Sequence, residues 1–417
     1  MNDVFEYRDD ELVGDGTPLS KIAASHPTPF YVYVPRALVS RFRKLDAAFA
    51  GTPHFHAVAL KANTQPALLR HLVNEGAGAE VVSGAELALA LALGFEPSKI
   101  VFSGVGKTER ELRAGVTANV AMLLVESEQE LRMLDAVAAR AGRRASVALR
   151  LNPDIDAGTH RHIATGIKTA KFGVDPEQAR ALYAAHREFP ALDFVGVHSH
   201  IGSQITALEP LAANARILAE WVRSLRDIGI ELRYVDIGGG VGIRYHGERA
   251  PSFVAYAESV IAPFADLDVT VVTEPGRILF GPVGAFVVRI LYVKRVHGRD
   301  FVVVDAGLSD FLRPALYGAY HRIVPLRRKR GAARTVDVVG AVCESSDVFA
   351  RDCTLVAPEP GDFLAILDTG AYGFVMSSNY NLRARPAELV IEDGRSRVVR
   401  NAETEEDLVA RELAGGG

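Results

Sequence analysis

The sequence predicts an α/β fold in roughly its first two thirds, followed by a second domain built mostly of strands. Three observations predict this class. Short apolar or β-branched runs alternate with longer amphipathic stretches up to about residue 280, and after that point the helical periodicity fades. Hydrophobic residues make up 48% of the 417 residues and charged residues 24%. Alternating strand and helix patterns are typical of a parallel sheet, and this composition is typical of a globular protein.

Eight runs in the first part are predicted to be strands. They are His54–Leu60, Ala79–Val82, Lys99–Gly104, Val120–Val125, Ala145–Leu151, Leu192–Ser199, Arg233–Gly238 and Val269–Glu274. Eight strand–helix units favour a closed (β/α)8 barrel (a TIM barrel), and an open doubly wound sheet is the alternative. We predict that this domain spans residues 36–280.

The helices between these strands have recognisable patterns. Gly84–Gly94, Ser127–Gly142 and Pro210–Gly229 have the periodicity of helices that bury one face. Ser127 begins the second of them and Glu130 follows three residues later, which predicts a capping box. These segments fit the outer layer of a barrel.

The second domain is predicted to be all β, in the form of a β-barrel. Its strand-like runs, separated by turn residues, are GAFVVRILYVKRV, DFVVVDAG, TVDVVGAV, DFLAILDTG and AELVIEDGRSRVVRN. The strand-like segment Thr28–Val34 is expected to join it, so this domain is predicted to combine residues 1–35 with 281–417. The final residues, Glu412–Gly417, are expected to fray.

Charge and cysteine content limit the classes of function that fit this sequence. With 47 basic and 51 acidic residues the net charge is -4, which gives no electrostatic footprint for nucleic acid. The acidic N-terminus has no apolar signal region, and no run is long enough to span a membrane. Two cysteines, Cys343 and Cys353, do not make a disulfide framework, so we expect a cytoplasmic protein. The basic run Arg327–Arg330 is interpreted as a solvated loop.

Lys61 is the most unusual residue of the first strand. The run His56–Leu60 is apolar after its histidine and stops at this lysine. Lysine is rarely buried unless something pairs with it. One interpretation is a side chain that extends along the strand end to water. The other is an amine that forms a Schiff base.

Polar residues follow several of the other predicted strands as well. They are Ser83, the segments His198–Gln204 and Gly238–Gly242, and Glu274–Arg277. The carboxyl ends of barrel strands meet on one face, where these enzymes carry their chemistry. The glycines lack the spacing of a dinucleotide site, since Ile243 stands where a third glycine would be needed. Together these residues predict a pyridoxal phosphate site. Lys61 supplies an amine and the glycine run could bind a phosphate. Glu274 could pair with the ring nitrogen, and His200 could lie against the aromatic ring.

At the level of whole motifs, the sequence resembles the diaminopimelate decarboxylases, of the alanine-racemase-like fold-type III class of pyridoxal phosphate enzymes. The matching blocks follow the family's order from about residue 28 to about residue 390. They include ALKAN, VVSGAEL, VFSGVGKTERELRAG, RLNPDIDAGTHRHIATGIKTAKFGV, GVHSHIGSQI, DIGGGVGI, EPGR, DAGLSDFLRPALYGAYH, GAVCESSDVFARD and DTGAYGFVMSSNYNLRARPAEL. The resemblance implies a (β/α)8 barrel with a β-barrel domain, and a homodimer with active sites at the interface.

The resemblance also implies how the cofactor, pyridoxal 5'-phosphate, is held. Lys61 would form the Schiff base, His200 would stack on the pyridine ring, and Glu274 would pair with the ring nitrogen. The remaining cofactor contacts would come from Ser203, Gly238, Gly239, Gly240, Gly276, Arg277 and Tyr372. No metal is implied.

For the substrate, the resemblance implies a pocket that recognises a second carboxylate. Its residues would be Arg277, Arg313, Tyr317, Glu344 and Tyr372, with Glu344 taking the distal ammonium. Cys343 would be the general acid, and it would reach across the dimer together with Glu344. The implied reaction is the decarboxylation of meso-2,6-diaminopimelate to L-lysine and CO2, the last step of lysine biosynthesis.

Three other functions remain as alternatives. Another decarboxylase of the class could act on ornithine, arginine or carboxynorspermidine, and Arg313 argues against the first two. An alanine-type racemase is opposed by Glu274, because racemases of the class have an arginine facing the ring nitrogen. A binding protein for pyridoxal phosphate without turnover would not need Cys343 or Glu344.

Overall fold

The computed structural model describes residues 4–155, 165–166 and 170–414. Part of the block Arg150–Val174, used above for the resemblance, therefore lies outside the described residues. The chain divides into two compact units. The barrel unit comprises Ser40–Ile243 and Arg249–Ile278, and the β unit comprises the described part of Met1–Val39, Arg244–Glu248 and Leu279–Gly417.

Strands and helices are numbered along the chain. The described strands are β1 Phe5–Arg8, β2 Glu11–Gly14, β3 Thr17–Pro18, β4 Phe30–Tyr33, β5 His54–Ala59, β6 Gly78–Val81, β7 Ile100–Phe102, β8 Met122–Val125, β9 Ala145–Arg150, β10 Leu192–His198, β11 Tyr234–Asp236, β12 Thr270–Thr273, β13 Gly284–Val296, β14 Arg299–Val304, β15 Ile323–Pro325, β16 Ala333–Val339, β17 Val348–Val356, β18 Phe363–Leu367, β19 Ala387–Glu392 and β20 Arg395–Arg400. The described α-helices are α1 Leu19–Ser25, α2 Pro35–Ala48, α3 Pro66–Asn74, α4 Gly84–Leu93, α5 Glu109–Ala118, α6 Glu128–Arg140, α7 Pro176–Ala184, α8 Glu209–Asp227, α9 Phe253–Ile261, α10 Arg277–Phe280, α11 Arg313–Tyr317 and α12 Glu405–Leu413. None of the helices described is long and apolar enough to cross a membrane.

Strands β5 to β12 form a closed barrel in chain order, and every neighbouring pair is parallel. The barrel closes where β12 pairs with β5, with Val271 opposite His54. Alternate side chains of the strands point inward and fill the interior. This buried cluster consists of Ala57, Val101, Met122, Leu124, Ala148, Val195 and Val272. The predicted (β/α)8 barrel is confirmed, and the open-sheet alternative is wrong.

Two local predictions need correction in this unit. The first strand ends at Ala59, and Lys61 lies in a single 3-10 turn, Leu60–Ala62, that follows it. The capping box at α6 is half formed. Ser127 accepts a hydrogen bond from the Glu130 amide, but the Glu130 carboxylate accepts from the Glu126 amide one residue earlier. The other Glu130 oxygen lies 2.7 Å from the buried ammonium of Lys107, so this carboxylate serves two structural partners.

The β unit contains a nine-stranded sheet in which β13 is central. Along this sheet β13 lies beside β14 and β4, while β18 pairs with β13 and β15. Strand β4 lies between β13 and β19, so the expectation that Thr28–Val34 joins this domain is confirmed. The sheet buries Phe30, Val32 and Leu389 in one core. A mostly β second domain is therefore confirmed.

Some parts of the β unit were not predicted from the sequence. The acidic N-terminus forms a small antiparallel sheet of β1, β2 and β3, and β17 pairs with β16. The expected fraying at Glu412 is wrong, because α12 extends to Leu413 and begins with a capping box between Thr404 and Asp407. The last three residues lie outside the described part of the chain.

The basic run Arg327–Arg330 lies in an irregular segment, as interpreted, but three of its four cations make specific contacts. Arg327 pairs with Glu11 at 2.5 Å, and Lys329 pairs with Asp362 at 2.6 Å. The Arg328 guanidinium lies 3.9 Å from the ring centroid of Tyr7. The run therefore fastens the small N-terminal sheet to the rest of the β unit.

Candidate active site

Lys61 lies just beyond the carboxyl end of β5, and its ammonium pairs with a buried carboxylate. Its Nζ is 2.9 and 2.8 Å from the two oxygens of Glu80 on the neighbouring strand β6. Glu80 is fully buried and also accepts a hydrogen bond of 2.6 Å from the Ser103 hydroxyl. A buried carboxylate needs a cation and donors, and this pair therefore fixes the direction of the amine. A lysine that merely extends to water would direct its ammonium outward.

Three titratable side chains form a buried cluster at the carboxyl ends of β10, β11 and β12. His198, Asp236 and Glu274 have side-chain atoms within 4.8 Å of one another. Burial opposes ionisation of Glu274, but the charges of His198 and Lys61 outweigh burial and hold the pKa of Glu274 well below its usual range. Burial and the neighbouring Glu274 raise the pKa of Asp236 well above its usual value. Within this cluster the negative charge therefore resides on Glu274 in preference to Asp236.

His200 follows β10 and is held in one tautomer. The amide of Gly239 donates a hydrogen bond of 3.0 Å to its Nδ1. Burial lowers the pKa of His200 to about 3, so the ring is neutral at physiological pH. Because Nδ1 accepts, the ring proton resides on Nε2. A neutral imidazole of fixed orientation can lie against an aromatic ring without adding charge to it.

The glycine run after β11 allows the backbone to approach its neighbours closely. A Cβ on Gly239 would lie 2.1 Å from the Glu274 carbonyl oxygen, and one on Gly240 would lie 2.3 Å from that of Gly202. Gly238 and Gly240 also have φ values of +68° and +103°, which L side chains rarely adopt. No side chain fits here, so the backbone itself lines this end of the barrel.

Ser203 and Arg277 flank the glycine run. The guanidinium of Arg277, at the start of α10, donates a hydrogen bond of 3.0 Å to the Ser203 hydroxyl. Arg277 is buried and directly follows Gly276 after β12. A hydroxyl, a guanidinium and close backbone form a surface that suits an anion such as phosphate.

Replacing Gly239 with alanine should destabilise the fold. The added methyl would collide with the Glu274 carbonyl, and we expect a loss of about 1–3 kcal/mol of unfolding free energy, as for other overpacked sites. Denaturant unfolding without added ligands measures it. Gly247→Ala is the matched control, because its Cβ would meet nothing within 4 Å. Equal stability of the two variants would contradict this view of the glycine run.

In the β unit, Arg313 is buried at the start of α11 and is oriented by two side chains. Its Nη1 donates hydrogen bonds to the Tyr245 hydroxyl at 2.9 Å and to His321 Nε2 at 2.6 Å. His321 donates through Nδ1 to the Leu367 carbonyl at 2.8 Å, which leaves Nε2 to accept. Tyr317 is four residues along the same helix and so lies on the same face. These two hydrogen bonds fix the orientation of the guanidinium.

Cys343 and Glu344 lie in an exposed loop of the β unit, before β17. The Cys343 amide donates to the Asn381 side chain at 3.1 Å, and the Tyr380 hydroxyl donates to the Glu344 carboxylate at 3.2 Å. Both cysteines of the chain are free thiols. The thiol of Cys343 is thus exposed and reduced, on a backbone that neighbouring residues hold in place.

Asp347 organises this loop from within. Its carboxylate accepts hydrogen bonds from the amides of Leu308 at 2.6 Å and Val342 at 2.7 Å. Burial raises the pKa of Asp347, while these amides oppose the rise.

Tyr372, in another loop of the β unit, has φ of +57°, an uncommon conformation for a residue other than glycine.

Comparison with known proteins identifies the family. The family model described as "Pyridoxal-dependent decarboxylase, pyridoxal binding domain" matches residues 36–281. A diaminopimelate decarboxylase from Pseudomonas aeruginosa is 43% identical over 410 residues, which cover 98% of this chain and 99% of that protein. This chain belongs to the diaminopimelate decarboxylase family. It is therefore an enzyme, and its cofactor is pyridoxal 5'-phosphate.

Solved structures of diaminopimelate decarboxylases have the same fold. The enzyme from Helicobacter pylori, solved with L-lysine, has a TM-score of 0.92 and 40% identity, covering 95% of this chain and 100% of that one. The enzyme from M. jannaschii, also solved with L-lysine, has a TM-score of 0.93 and 36% identity over 98% of both chains. The resemblance drawn from the sequence motifs is confirmed over nearly the whole chain.

The barrel-unit residues fit the family's cofactor. Glu274 Oε1 is buried, and its near neighbour His198 Nε2 lies 3.5 Å away, too far to satisfy a buried anion well, so a protonated ring nitrogen would complete its hydrogen bonding. The glycine run leaves a cradle that any Cβ would fill, as a phosphate requires. The Lys61 amine lies at the same barrel end, beyond β5.

Sequence reasoning missed several residues of this decarboxylase site. Glu80 is an acid inside the short apolar run of β6, and that interruption was a usable signal. Asp236 ends β11 in the same way. The spacing of residues along the chain did not show that Tyr245 and His321 bind Arg313. Tyr245 lies 68 residues from Arg313, and His321 lies eight residues away, beyond the end of α11.

Proposed function

We propose that this enzyme removes one carboxylate of meso-2,6-diaminopimelate as CO2 and releases L-lysine, the last step of lysine biosynthesis. The observation that carries the substrate assignment is the buried guanidinium of Arg313, oriented by hydrogen bonds to Tyr245 and His321. A guanidinium of fixed orientation matches a carboxylate through two parallel hydrogen bonds. A substrate with only a distal ammonium would not need it.

Lys61 would hold the cofactor covalently, His200 would lie against its ring, and Glu274 would face its ring nitrogen. The phosphate and the rest of the cofactor would be bound by Ser203, Gly238, Gly239, Gly240, Gly276, Arg277 and Tyr372. Bound pyridoxal phosphate supplies an electron sink for the pair of electrons left on Cα when CO2 departs.

The chain's own groups control protons during this reaction. The Glu274 carboxylate, whose pKa lies well below its usual range, would keep a proton on the ring nitrogen. Glu80 would direct the Lys61 amine, through the ion pair of 2.8 Å. Cys343 Sγ would deliver a proton to Cα, and Lys61 would then release L-lysine.

The substrate's distal end would be bound by positively and negatively charged residues. Arg277, Arg313 and Tyr317 would hold the distal carboxylate, and Glu344 would hold the distal ammonium, with Tyr372 completing the pocket. The opposite charges of Arg313 and Glu344 suit a carbon that carries both an amino and a carboxyl group. Diaminopimelate has such a carbon at each end, whereas ornithine and arginine do not.

We further propose a homodimer in which each subunit lends Cys343 and Glu344 to the active site of the other. The exposure of Cys343 supports this, because a general acid must be shielded from water when it acts. The cofactor-binding domain would span residues 36–280, close to the family match at 36–281. Residues 1–35 and 281–417 would form the second domain. A cytoplasmic location would keep the Cys343 thiol reduced.

Arg313→Ala should lower kcat/KM for meso-diaminopimelate by about 10²–10³-fold, since charged hydrogen bonds of this kind contribute about 1.5–3 kcal/mol each. Arg313→Lys should recover part of the loss, because lysine restores the charge but not the fork. Steady-state kinetics with detection of L-lysine measures both. Wild-type kinetics in Arg313→Ala, with an unchanged melting temperature, would overturn the substrate assignment.

A further inference from the structure

Two histidines at the amino-terminal end of β5 have no place in the proposed reaction. His54 and His56 alternate with Phe55 and Ala57, which pack in the barrel interior. Successive side chains of a strand point to opposite faces, so both histidines point outward. They meet Asp46, in the last turn of α2.

These three side chains direct their ligand atoms at one place. His54 Nε2 is 3.2 Å from an Asp46 carboxylate oxygen, and His56 Nε2 is 4.0 Å from the same oxygen. All three ligand atoms lie within 4.8 Å of one another. The His56 side chain is 0% exposed, and its Nε2 has no hydrogen-bond partner among the residues described. A buried nitrogen without a partner is costly unless something binds it.

The other nitrogen of each ring is already engaged. His54 Nδ1 donates to the Thr52 carbonyl at 2.8 Å, and His56 Nδ1 bonds the Thr273 hydroxyl at 2.7 Å. Phe49 packs against both rings, with centroids 5.4 and 5.1 Å away. Hydrogen bonds through Nδ1 are the usual way in which proteins orient a histidine that binds a metal through Nε2.

We propose that Asp46, His54 and His56 bind one zinc-like divalent metal ion, with water as the fourth ligand. Two imidazoles and a carboxylate are a common zinc set, and zinc bonds of about 2.0–2.2 Å place tetrahedral ligand atoms about 3.3 Å apart. His54 Nε2 and Asp46 are hydrogen bonded at 3.2 Å, and an ion would take the place of the proton between them. The separation of 4.0 Å must shorten through movement of Asp46, and the two Nε2 atoms already lie within 4.8 Å of each other. That carboxylate has the freedom to move, because its side chain is 57% exposed.

The site's role is structural. It lies at the amino-terminal end of β5, whereas Lys61 follows the carboxyl end, about 20 Å away at the usual rise along a strand. The amino-terminal face of such barrels serves stability rather than chemistry. A metal ion here would join the last turn of α2 to β5, the first strand of the barrel. A short loop connects these two elements.

The test uses the cofactor-loaded enzyme, treated with a chelator and then dialysed. Zn²⁺ is titrated by calorimetry, and Co²⁺ is added in parallel to record the visible absorption of tetrahedral coordination. We expect one high-affinity equivalent and a raised melting temperature. Asp46→Asn and His54→Gln, both at exposed or partly exposed positions, should weaken binding about 100-fold or more, since even groups that only orient ligands contribute 10–100-fold.

His186→Gln is the matched control, because His186 also bonds a backbone carbonyl, that of Tyr183, but lies away from the cluster. It should bind Zn²⁺ as the wild type does. The proposal is overturned if the wild type takes up no Zn²⁺, or if Asp46→Asn and His54→Gln bind it as tightly as the control. The second result would place the ion elsewhere, for example at His198, Asp236 and Glu274. Decarboxylase activity is not a readout, so failure here is distinct from failure of the proposed function.

Discussion

Lys61→Ala should abolish decarboxylation, lowering kcat by at least about 10³-fold, because the amine is proposed both to hold the cofactor and to release the product. Because the change leaves the buried Glu80 carboxylate without its cation, the melting temperature should fall, and circular dichroism must show that the variant is folded at the assay temperature. Single-turnover and steady-state assays at saturating pyridoxal phosphate measure the loss. Borohydride reduction followed by mass spectrometry should attach the cofactor to the wild type and not to the variant.

Lys61→Arg separates the covalent role from a purely electrostatic one. Arginine keeps the positive charge beside Glu80, but a guanidinium that never loses its proton cannot act as the amine. We therefore expect Lys61→Arg to be as inactive as Lys61→Ala. Substantial activity in Lys61→Arg would mean that the residue only neutralises Glu80, and the covalent role would be abandoned.

Glu274→Gln should lower kcat by about 10²–10⁴-fold, the range typical of a lost proton-positioning group. The carboxylate is ionised in its buried cluster, because the charges of His198 and Lys61 outweigh burial and depress its pKa. An amide of the same shape removes the negative charge that would hold a proton on the ring nitrogen. The measurement is kcat at saturating cofactor and substrate, with cofactor content checked by absorbance.

Asp236→Asn is the matched control for this change. Burial and Glu274 raise the pKa of Asp236, so the negative charge of the cluster favours Glu274, and replacing Asp236 should disturb that charge less. Asparagine can also still accept the hydrogen bond of 2.9 Å from the Gly238 amide. We expect a much smaller loss than in Glu274→Gln. Equal losses in both variants would show that the cluster acts through packing rather than through the charge of Glu274.

Local patterns carried most of the fold prediction. The barrel strands follow from period-two or fully apolar runs bounded by turn residues, and the run Ala145–Leu151 matches β9, Ala145–Arg150, to within one residue. The small N-terminal sheet escaped prediction because β1 and β2 have only four residues each. Their stability comes from long-range contacts, such as the pair between Arg327 and Glu11, and spacing along the chain does not show these.

The active site, too, has features that the sequence predicts and features that it does not. Lys61, His200 and Glu274 could be predicted because each follows a barrel strand, and the topology of a barrel brings strand ends together. Which groups set their charge could not be predicted. The Gly239 amide fixes the tautomer of His200, and burial beside Glu274 raises the pKa of Asp236. Both effects depend on an environment that only the folded chain provides.

The most direct measurement is turnover by the enzyme loaded with pyridoxal phosphate. It would be mixed separately with meso-diaminopimelate, ornithine, arginine and lysine, and CO2 and the amine product would be followed. Our account predicts CO2 and L-lysine in equal amounts from diaminopimelate, and no CO2 from the other three. Release of CO2 from ornithine or arginine instead would contradict the role given to Arg313, and no turnover of any substrate would indicate a binding protein rather than a decarboxylase.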